Sequence, residues 1–466
     1  MNEEEDLTEN GNKQKPSQDF NAELSSGFLK LEGPTRERDE RAAFLHFLKA
    51  ADQGNCEAHA RLAAMYKEGT GTVSSLGQAL HHALLAAISG DPEGQFRLGC
   101  LYLTGDGIIP DENQALQWIL KAAEQRWPEA EFQLGLFYAR GKLVTQDWNM
   151  AAKLFEKAAQ KQFPSAQHAL GYMYWKGLGV TVDLAKAAEL TRNAAEKDHA
   201  GAQYQLYELL SATVQEDEQD EAQDILYFVG RASDLNSEQN EVDEEPVEDP
   251  GLSESIDETD MPYFWLVKAA QNNYAPAQYR VFCLLQADSD QPIEKINLDW
   301  LEQAAENGLL EAQYELGRHY MSKAYHRDTP LQSFLKKAIY WFGKARQNGH
   351  AKADEYFKWI YQERSFANNG FSDTDWTEVF AEGGHAGAQY KLGWACFLGV
   401  NMPKDTARGV SLLQAAAGQG HKTAQGRLAV LFEVGDGVPK DSAQAIYWQK
   451  MAETNEDAEQ TCFGQS

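Results

Sequence analysis

Glycine pairs ahead of a predicted helix are the residues in this sequence whose spacing could hold a phosphate group. One pair, Gly177 and Gly179, lies in the stretch YWKGLGVTVDLAKAAEL. A phosphate loop also needs a preceding strand and either a Lys-Ser/Thr pair or a third glycine at the helix start. Here the preceding residues have the apolar spacing of a helix, and similar pairs recur along the chain. The pair therefore predicts a turn between two helices, and we expect no cofactor.

Histidines and cysteines show no metal-binding or nucleophilic pattern. His81 and His82 are adjacent, but no third histidine or carboxylate falls into register with them. The five cysteines are odd in number and never arranged as Cys-x-x-Cys, and no catalytic serine or zinc-protease motif occurs. We therefore predict no metal site and no catalytic residue. Four further histidines each lie three residues before a repeated motif and are interpreted as turn residues: His199, His350, His385 and His421.

The elements that would position any functional residue are repeats. The motif AQHALGYMY, which begins at Ala166, belongs to a series with steps of 36 residues, and such a period indicates a solenoid. A second helix is predicted between successive copies, and a large residue such as Trp300 stands twelve residues before the next copy. We predict that these tryptophans pack in the core against paired alanines. The ten copies open at Ala58, Gly94, Ala130, Ala166, Ala202, Ala277, Ala312, Ala353, Ala388 and Ala424.

Positions within the first helix of each repeat are numbered here from its opening residue, which is position 0. Because an α-helix turns about 100° per residue, positions 0, 4 and 8 lie on one stripe and are predicted to be buried. Position 5 is glycine in several copies, for example Gly135. Glycine destabilises a helix interior by about 1 kcal/mol, so we predict that it is kept for close contact with another helix.

The complete pattern is A-x-x-x-L-G-x-x-Y-x-x-G-x-G-V followed by K-A-x-x-W-x-x-K-A-A-x-x-G. It resembles the Sel-one-like repeat (SLR) family, which is related to the tetratricopeptide repeat. The resemblance covers residues 39–453 apart from an acidic insert, and it is weakest in the stretched copy at Ala353. It implies an all-α, αα-superhelical solenoid of about ten 36-residue helix-turn-helix repeats. It also implies a protein-binding scaffold without catalytic residues.

The net charge of −29 is concentrated in the segments outside the repeats. These acidic segments and the absence of a basic run argue against a nucleic-acid partner. No apolar run is long enough for a membrane span, and the acidic N-terminus does not resemble a secretory signal, so we expect a cytoplasmic protein. The predicted domains are a disordered acidic tail at 1–38, SLR arrays at 39–212 and 261–453, a largely disordered acidic insert at 213–260, and a C-terminal tail at 454–466.

Positions 3, 6 and 10 of the first helices point away from the buried stripe and are predicted to line one binding groove. Basic and aromatic residues outnumber acids there, so we predict that the groove holds a partner polypeptide and that the acidic insert either stays solvated or competes for it. An inhibitory or immunity protein that blocks a toxin or enzyme is the alternative, and an enzyme is third. The predicted groove residues are Arg61, Arg97, Arg140, Tyr172, Lys176, Arg280, Arg318, Tyr356, Trp359, Lys391, Trp394 and Arg427.

Overall fold

A computed structural model describes residues 20–32, 39–212, 259, 261–287, 295–324, 331–362 and 373–454. These residues form 22 helices and no strand, so the all-α prediction is confirmed. The chain divides into two compact units, Met1–Leu209 and Leu210–Ser466, called the N-terminal and C-terminal units below. The predicted acidic insert lies outside the described residues, apart from Thr259, and so do most of the predicted terminal tails.

The N-terminal unit consists of antiparallel helix pairs, in which each first helix packs against the second helix that follows it. Its helices are α1 (Phe20–Glu32), α2 (Glu40–Asp52), α3 (Cys56–Glu68), α4 (Leu76–Ile88), α5 (Pro92–Thr104), α6 (Glu112–Glu124), α7 (Pro128–Arg140), α8 (Trp148–Gln160), α9 (Pro164–Lys176), α10 (Leu184–Ala195) and α11 (Ala200–Ser211), which contains the boundary of the unit.

The C-terminal unit repeats this pairing, with longer helices in the copy that opens at Ala312. Its helices are α12 (Pro262–Gln271), α13 (Ala275–Ala287), α14 (Lys295–Glu306), α15 (Leu310–Ala324), α16 (Leu331–Gln347), α17 (Ala351–Gln362), α18 (Asp373–Glu382), α19 (Ala386–Leu398), α20 (Thr406–Gly418), α21 (Lys422–Val434) and α22 (Ser442–Thr454).

The first helix, α1, was not expected, because residues 1–38 were predicted to be a disordered tail. Over residues 20–32 that prediction is wrong. Leu24 is buried, and the ring of Phe28 meets the ring of Phe47 on α2 edge to face at 5.4 Å. A Cβ atom on Gly27 would lie only 2.6 Å from the Phe47 ring. The pair of α1 and α2 is therefore one more repeat ahead of the ten that the sequence predicted.

The glycine loops are turns between helices, as predicted. Gly177 has a left-handed backbone with φ of 71°, and its N–H donates to the carbonyl oxygen of Met173 at the end of α9. Gly179 also has a positive φ, of 67°, and an added Cβ would collide with the backbone of Trp148 at the start of α8. The first glycine thus ends a helix, and the second lets the loop contact the preceding repeat.

The four repeated histidines begin first helices. The Nδ1 atom of His421 accepts the backbone N–H of Ala424 at 3.2 Å, and the other three make the same bond at 3.1 or 3.2 Å. Asn55 and Asp91 cap α3 and α5 in the same way through side-chain oxygens. The histidines are therefore N-caps, which agrees with their interpretation as turn residues.

Burial of the predicted core is uneven. A Cβ on Gly135 would lie 2.5 Å from Phe155, and the corresponding distance from Gly317 to Phe342 is 2.8 Å, so the position-5 glycines do sit at close helix contacts. Trp265 is 1% exposed. Trp300, by contrast, is only half-buried and packs at the edge of the core. The prediction that the repeated tryptophans are core residues holds fully for Trp265 and partly for the others.

A buried amide ladder connects successive repeats. Position 1 is glutamine in most copies, and its side chain is buried. Gln278 is typical: its Nε2 donates to the carbonyl oxygen of Ala270 at 3.0 Å, and its Oε1 accepts from Asn307 at 2.9 Å. One glutamine thereby joins the ends of the second helices before and after it. Equivalent donor bonds are made by Gln95, Gln203, Gln313, Gln389 and Gln425.

Candidate protein-binding surface

The surface at positions 3, 6 and 10 of the first helices is called the first-helix face below. None of the twelve residues predicted on it is buried, because each side chain is either half-buried or exposed. Five of them belong to the N-terminal unit and seven to the C-terminal unit. The two units differ in what surrounds these side chains, so the face is described separately in each.

In the N-terminal unit, two predicted groove arginines surround a buried acid. The Nε and Nη2 atoms of Arg97 donate to Oε1 of Glu93 at 2.8 and 2.6 Å. Nε of Arg61 lies 3.5 Å from the other carboxylate oxygen, Oε2. Glu93 is only 4% exposed, and the Arg61 guanidinium also lies over the ring of Phe28. Much of the positive charge predicted for this part of the face is therefore neutralised within the unit.

The end of α9 presents an aromatic and cationic cluster. Nζ of Lys176 lies 3.4 Å from the centroid of the Trp175 ring, a cation–π contact. The ring of Tyr172, which is 43% exposed, meets Trp175 edge to face at 6.1 Å. Arg140, at the end of α7, is also exposed. Trp175 was not among the predicted groove residues, because position 9 was not considered part of the face.

In the C-terminal unit, α15 and α17 contribute a cation and stacked aromatic rings. Nη1 of Arg318 lies 3.1 Å from both carboxylate oxygens of Glu315, and this acid raises the pKa of the guanidinium. Tyr356 stacks on Phe342 at 5.3 Å with an interplanar angle of 6°. Although Tyr356 is supported by this stack, 39% of it remains exposed, so its ring can still contact another molecule.

Further aromatic and cationic residues of the predicted face lie on α17, α19 and α21. The guanidinium of Arg427 lies 4.5 Å from the centroid of the Trp394 ring, which itself stacks on Phe397. Trp359 is 40% exposed, and Lys391 is exposed. The remaining predicted residue, Arg280 on α13, is exposed as well.

Two close histidine pairs lie in the N-terminal unit, in which His82 is buried and the other three side chains are half-buried. The Nδ1 atoms of His59 and His82 are 2.9 Å apart, and the rings of His168 and His199 are 4.8 Å apart. Burial, followed by the neighbouring histidine, lowers the pKa of His82 and of His168 to about 4. Within the described residues, no group of three His, Cys, Asp or Glu side chains could hold a metal ion. Both pairs are therefore neutral packing contacts at pH 7.

None of the helices that the structure describes is both long and apolar enough to cross a membrane.

Comparison with known proteins gives one family match. The model of the Sel1 repeat, the repeat that the sequence pattern resembles, matches most of the chain. No curated protein sequence is significantly similar to this chain. The residues matched by the family model are 22–55, 56–91, 92–126, 128–163, 164–199, 298–309, 310–350, 386–421 and 423–454.

Several solved structures are also similar. A protective antigen of uropathogenic Escherichia coli strains, which displays an SLR fold, is 26% identical, with 94% of this chain and 85% of that chain covered and a TM-score of 0.41. A Sel1 repeat protein from Oxalobacter formigenes is 24% identical, with 73% and 86% covered and a TM-score of 0.43. An immunity protein from Pseudomonas aeruginosa is 14% identical, with 70% and 81% covered and a TM-score of 0.20.

Proposed function

Because the chain belongs to the Sel1 repeat family, whose members typically mediate protein–protein interaction, we propose that it is a scaffold that holds a partner polypeptide on its first-helix face. The family is generally non-catalytic, so recognition is the whole mechanism. The partner is a protein segment that carries both apolar and acidic side chains.

The observation that carries this proposal is that Tyr356, Trp359, Trp394 and Arg427, at positions 3 and 6 of first helices in the C-terminal unit, are all exposed or half-buried. Tyrosine, tryptophan and arginine are the residue types that most often dominate the energy of protein–protein contacts. Tyr356 and Trp394 each stack on a phenylalanine of the unit, so little side-chain entropy is lost when a partner binds. These rings are rigid and still partly exposed, which suits them to anchor an apolar side chain.

We propose that the positive charge of Arg427 selects acidic partners. A guanidinium that lies over an aromatic ring, as Arg427 lies over Trp394, still has its N–H edge available for a carboxylate. Arg61 and Arg97 in the N-terminal unit differ, because their charge faces Glu93. We therefore assign the main contribution of charge to Arg427 and Lys391, and a smaller one to Lys176 on α9.

Site-specific crosslinking tests the proposal. A photo-crosslinking amino acid at Trp359 should capture a partner in cell extract, whereas the same group at Gln414, an exposed residue of the second helix α20, should not. Once the partner is identified by mass spectrometry, Arg427→Ala should weaken its affinity by about tenfold or more, and Gln414→Ala should leave it unchanged. Equal capture from both positions, or full affinity in Arg427→Ala, would contradict the proposal.

The same measurement separates the scaffold from the inhibitory or immunity protein predicted as the alternative. A dedicated inhibitor should have one target bound at nanomolar affinity or better, whereas a scaffold is expected to bind several segments more weakly.

A further inference from the structure

The outer surface of α4, in the N-terminal unit, is unusually apolar. His81, Leu84, Leu85 and Ile88 have the i, i+3, i+4, i+7 spacing that forms one stripe along a helix, called the α4 patch below. Leu84 is 40% exposed, Leu85 37% and Ile88 69%, and His81 is exposed too. The opposite side of α4 packs into the unit mainly through alanines, so the exposed leucines and isoleucine are not needed for the fold.

The next two second helices of the same unit carry charged or polar residues in place of Leu85 and Ile88. One repeat further along the chain, Leu85 and Ile88 correspond to Lys121 and Glu124 on α6, and both are exposed. On α8 the equivalents are Lys157 and Gln160. The whole of α4, LGQALHHALLAAI, contains no Asp, Glu, Lys or Arg. The α4 patch is therefore a local departure from a repeated polar surface, which is typical of an interaction site.

The charge of the chain restricts what can cover this patch. The net charge is −29, so an anionic membrane would be repelled, and helices that lie on membranes usually have Lys or Arg on their polar face. A basic protein would be recognised through carboxylates, and α4 has none. A two-fold contact brings the same stripe of both copies together, so like charges on it would lie close to one another. An uncharged stripe on a highly charged chain therefore fits self-association.

We propose that the α4 patch binds the α4 patch of a second copy, which gives a two-fold symmetric dimer. An antiparallel pairing brings Ile88 of one copy opposite Gly77 of the other, since Gly77 continues the same stripe one turn before His81. A Cβ built on Gly77 meets no atom within 4 Å, so that end has room for a large side chain. In the same pairing Leu84 faces His81 of the other copy. The stripe is thus complementary to itself.

The size of the patch sets the expected affinity. One helix pair buries less area than a standard protein interface, so the dissociation constant should be on the order of 10 µM. Salt should strengthen the dimer, because it screens repulsion between two chains of charge −29 and leaves apolar contact intact. This direction is opposite to that of a contact held by ion pairs.

Sedimentation equilibrium of the full chain, over concentrations on both sides of this dissociation constant, tests the proposal. The wild type should dimerise, and more tightly at high salt. The variant Leu85→Lys with Ile88→Glu copies the residues of α6 and should weaken the dimer at least tenfold while the circular dichroism spectrum stays unchanged. The matched control exchanges charges on α6, Lys121→Glu with Glu124→Lys, and should dimerise as the wild type does.

Three results would overturn the proposal. The wild type could remain monomeric throughout the concentration series. Alternatively, the Leu85→Lys, Ile88→Glu variant could dimerise as well as the wild type. Finally, a monomeric wild type could float with neutral phosphatidylcholine vesicles while that variant does not, which would assign the α4 patch to a lipid surface.

Discussion

The first-helix faces of the two units use the same helix positions, but the side chains that surround their arginines differ. In the N-terminal unit, Arg61 and Arg97 enclose Glu93, an acid that is almost fully buried. In the C-terminal unit, Arg427 lies over Trp394. An arginine paired with a buried carboxylate contributes to the unit itself, whereas we propose that Arg427, which is exposed beside the half-buried ring of Trp394, binds a partner. Position in the repeat thus decides where a side chain points, and its neighbours decide what it can bind.

The two units also differ in their buried polar side chains. The C-terminal unit keeps the neutral glutamine of the ladder in copies such as those of Gln278 and Gln313. The N-terminal unit has Glu131 in one copy, and it contains both close histidine pairs. We therefore expect acidity and charge-removing substitutions to affect the N-terminal unit more.

The largest expected effect is that of acid. Burial is the main cause that lowers the pKa values of His82 and His168 to about 4, whereas an unfolded histidine titrates near 6.5. Between these values the unfolded chain binds more protons, so the N-terminal unit should lose stability as the pH falls from about 6.5 to 4, by up to about 3 kcal/mol per histidine. In the C-terminal unit burial lowers the pKa of His319 as well.

Hydrogen exchange measured by mass spectrometry at pH 7 and 5, corrected for the intrinsic exchange rates, checks this prediction. Peptides from α3, α4 and α9 should lose more protection than peptides from α19 and α21. His82→Gln should remove part of the difference. An equal loss of protection in both units would mean that the histidine pairs do not control the acid response.

An intermediate effect is expected when the buried acid is removed. Glu93→Gln leaves the two arginines without their carboxylate and should lower the free energy of unfolding of the N-terminal unit by about 1–3 kcal/mol. The matched variant in the C-terminal unit is Glu315→Gln. It breaks the pair with Arg318, which is partly solvated, and should cost about 0–1 kcal/mol. Urea unfolding of both variants gives the comparison, and equal losses would be inconsistent with it.

The smallest effect should be a gain in stability. Burial raises the pKa of Glu131, and its Oε2 has no hydrogen-bond partner within the described structure. Glu131→Gln restores the amide of the ladder, which can donate to the carbonyl oxygen of Ala123, and should stabilise the N-terminal unit by about 1 kcal/mol near neutral pH. The reverse change at an intact step, Gln313→Glu, should destabilise the C-terminal unit. Thermal unfolding measures both, and a loss of stability in Glu131→Gln would refute this account of the ladder.

Most of the fold could be predicted from the period of the sequence, because each repeat brings the same small, large and glycine residues to the same contacts. The first repeat was missed because Ser26 stands where the motif has leucine. Two signals could have revealed it: Ala22 lies one period before Ala58, and Gly27 occupies position 5. That glycine faces Phe47, as the other position-5 glycines face their second helices.

The candidate site could be predicted only in part. Helical phase gives the direction in which a side chain leaves its helix, and none of the twelve residues is buried. It could not reveal that Glu93 reaches both Arg61 and Arg97, since that depends on the separation and rotamers of neighbouring helices. The buried glutamines at position 1 were not predicted, although the Ala-Gln pair recurs at the opening of most repeats.

The amide ladder also bears on how such a chain can change in length. Glutamines such as Gln278 bond to the ends of the second helices before and after them. Duplication or loss of one 36-residue segment by recombination therefore recreates a full set of donors and acceptors at the new junction. A change of any other length within the helices would leave an amide and a carbonyl unpaired in the interior. Repeat number can accordingly vary over evolution in whole steps, and each step adds or removes one helix of the first-helix face.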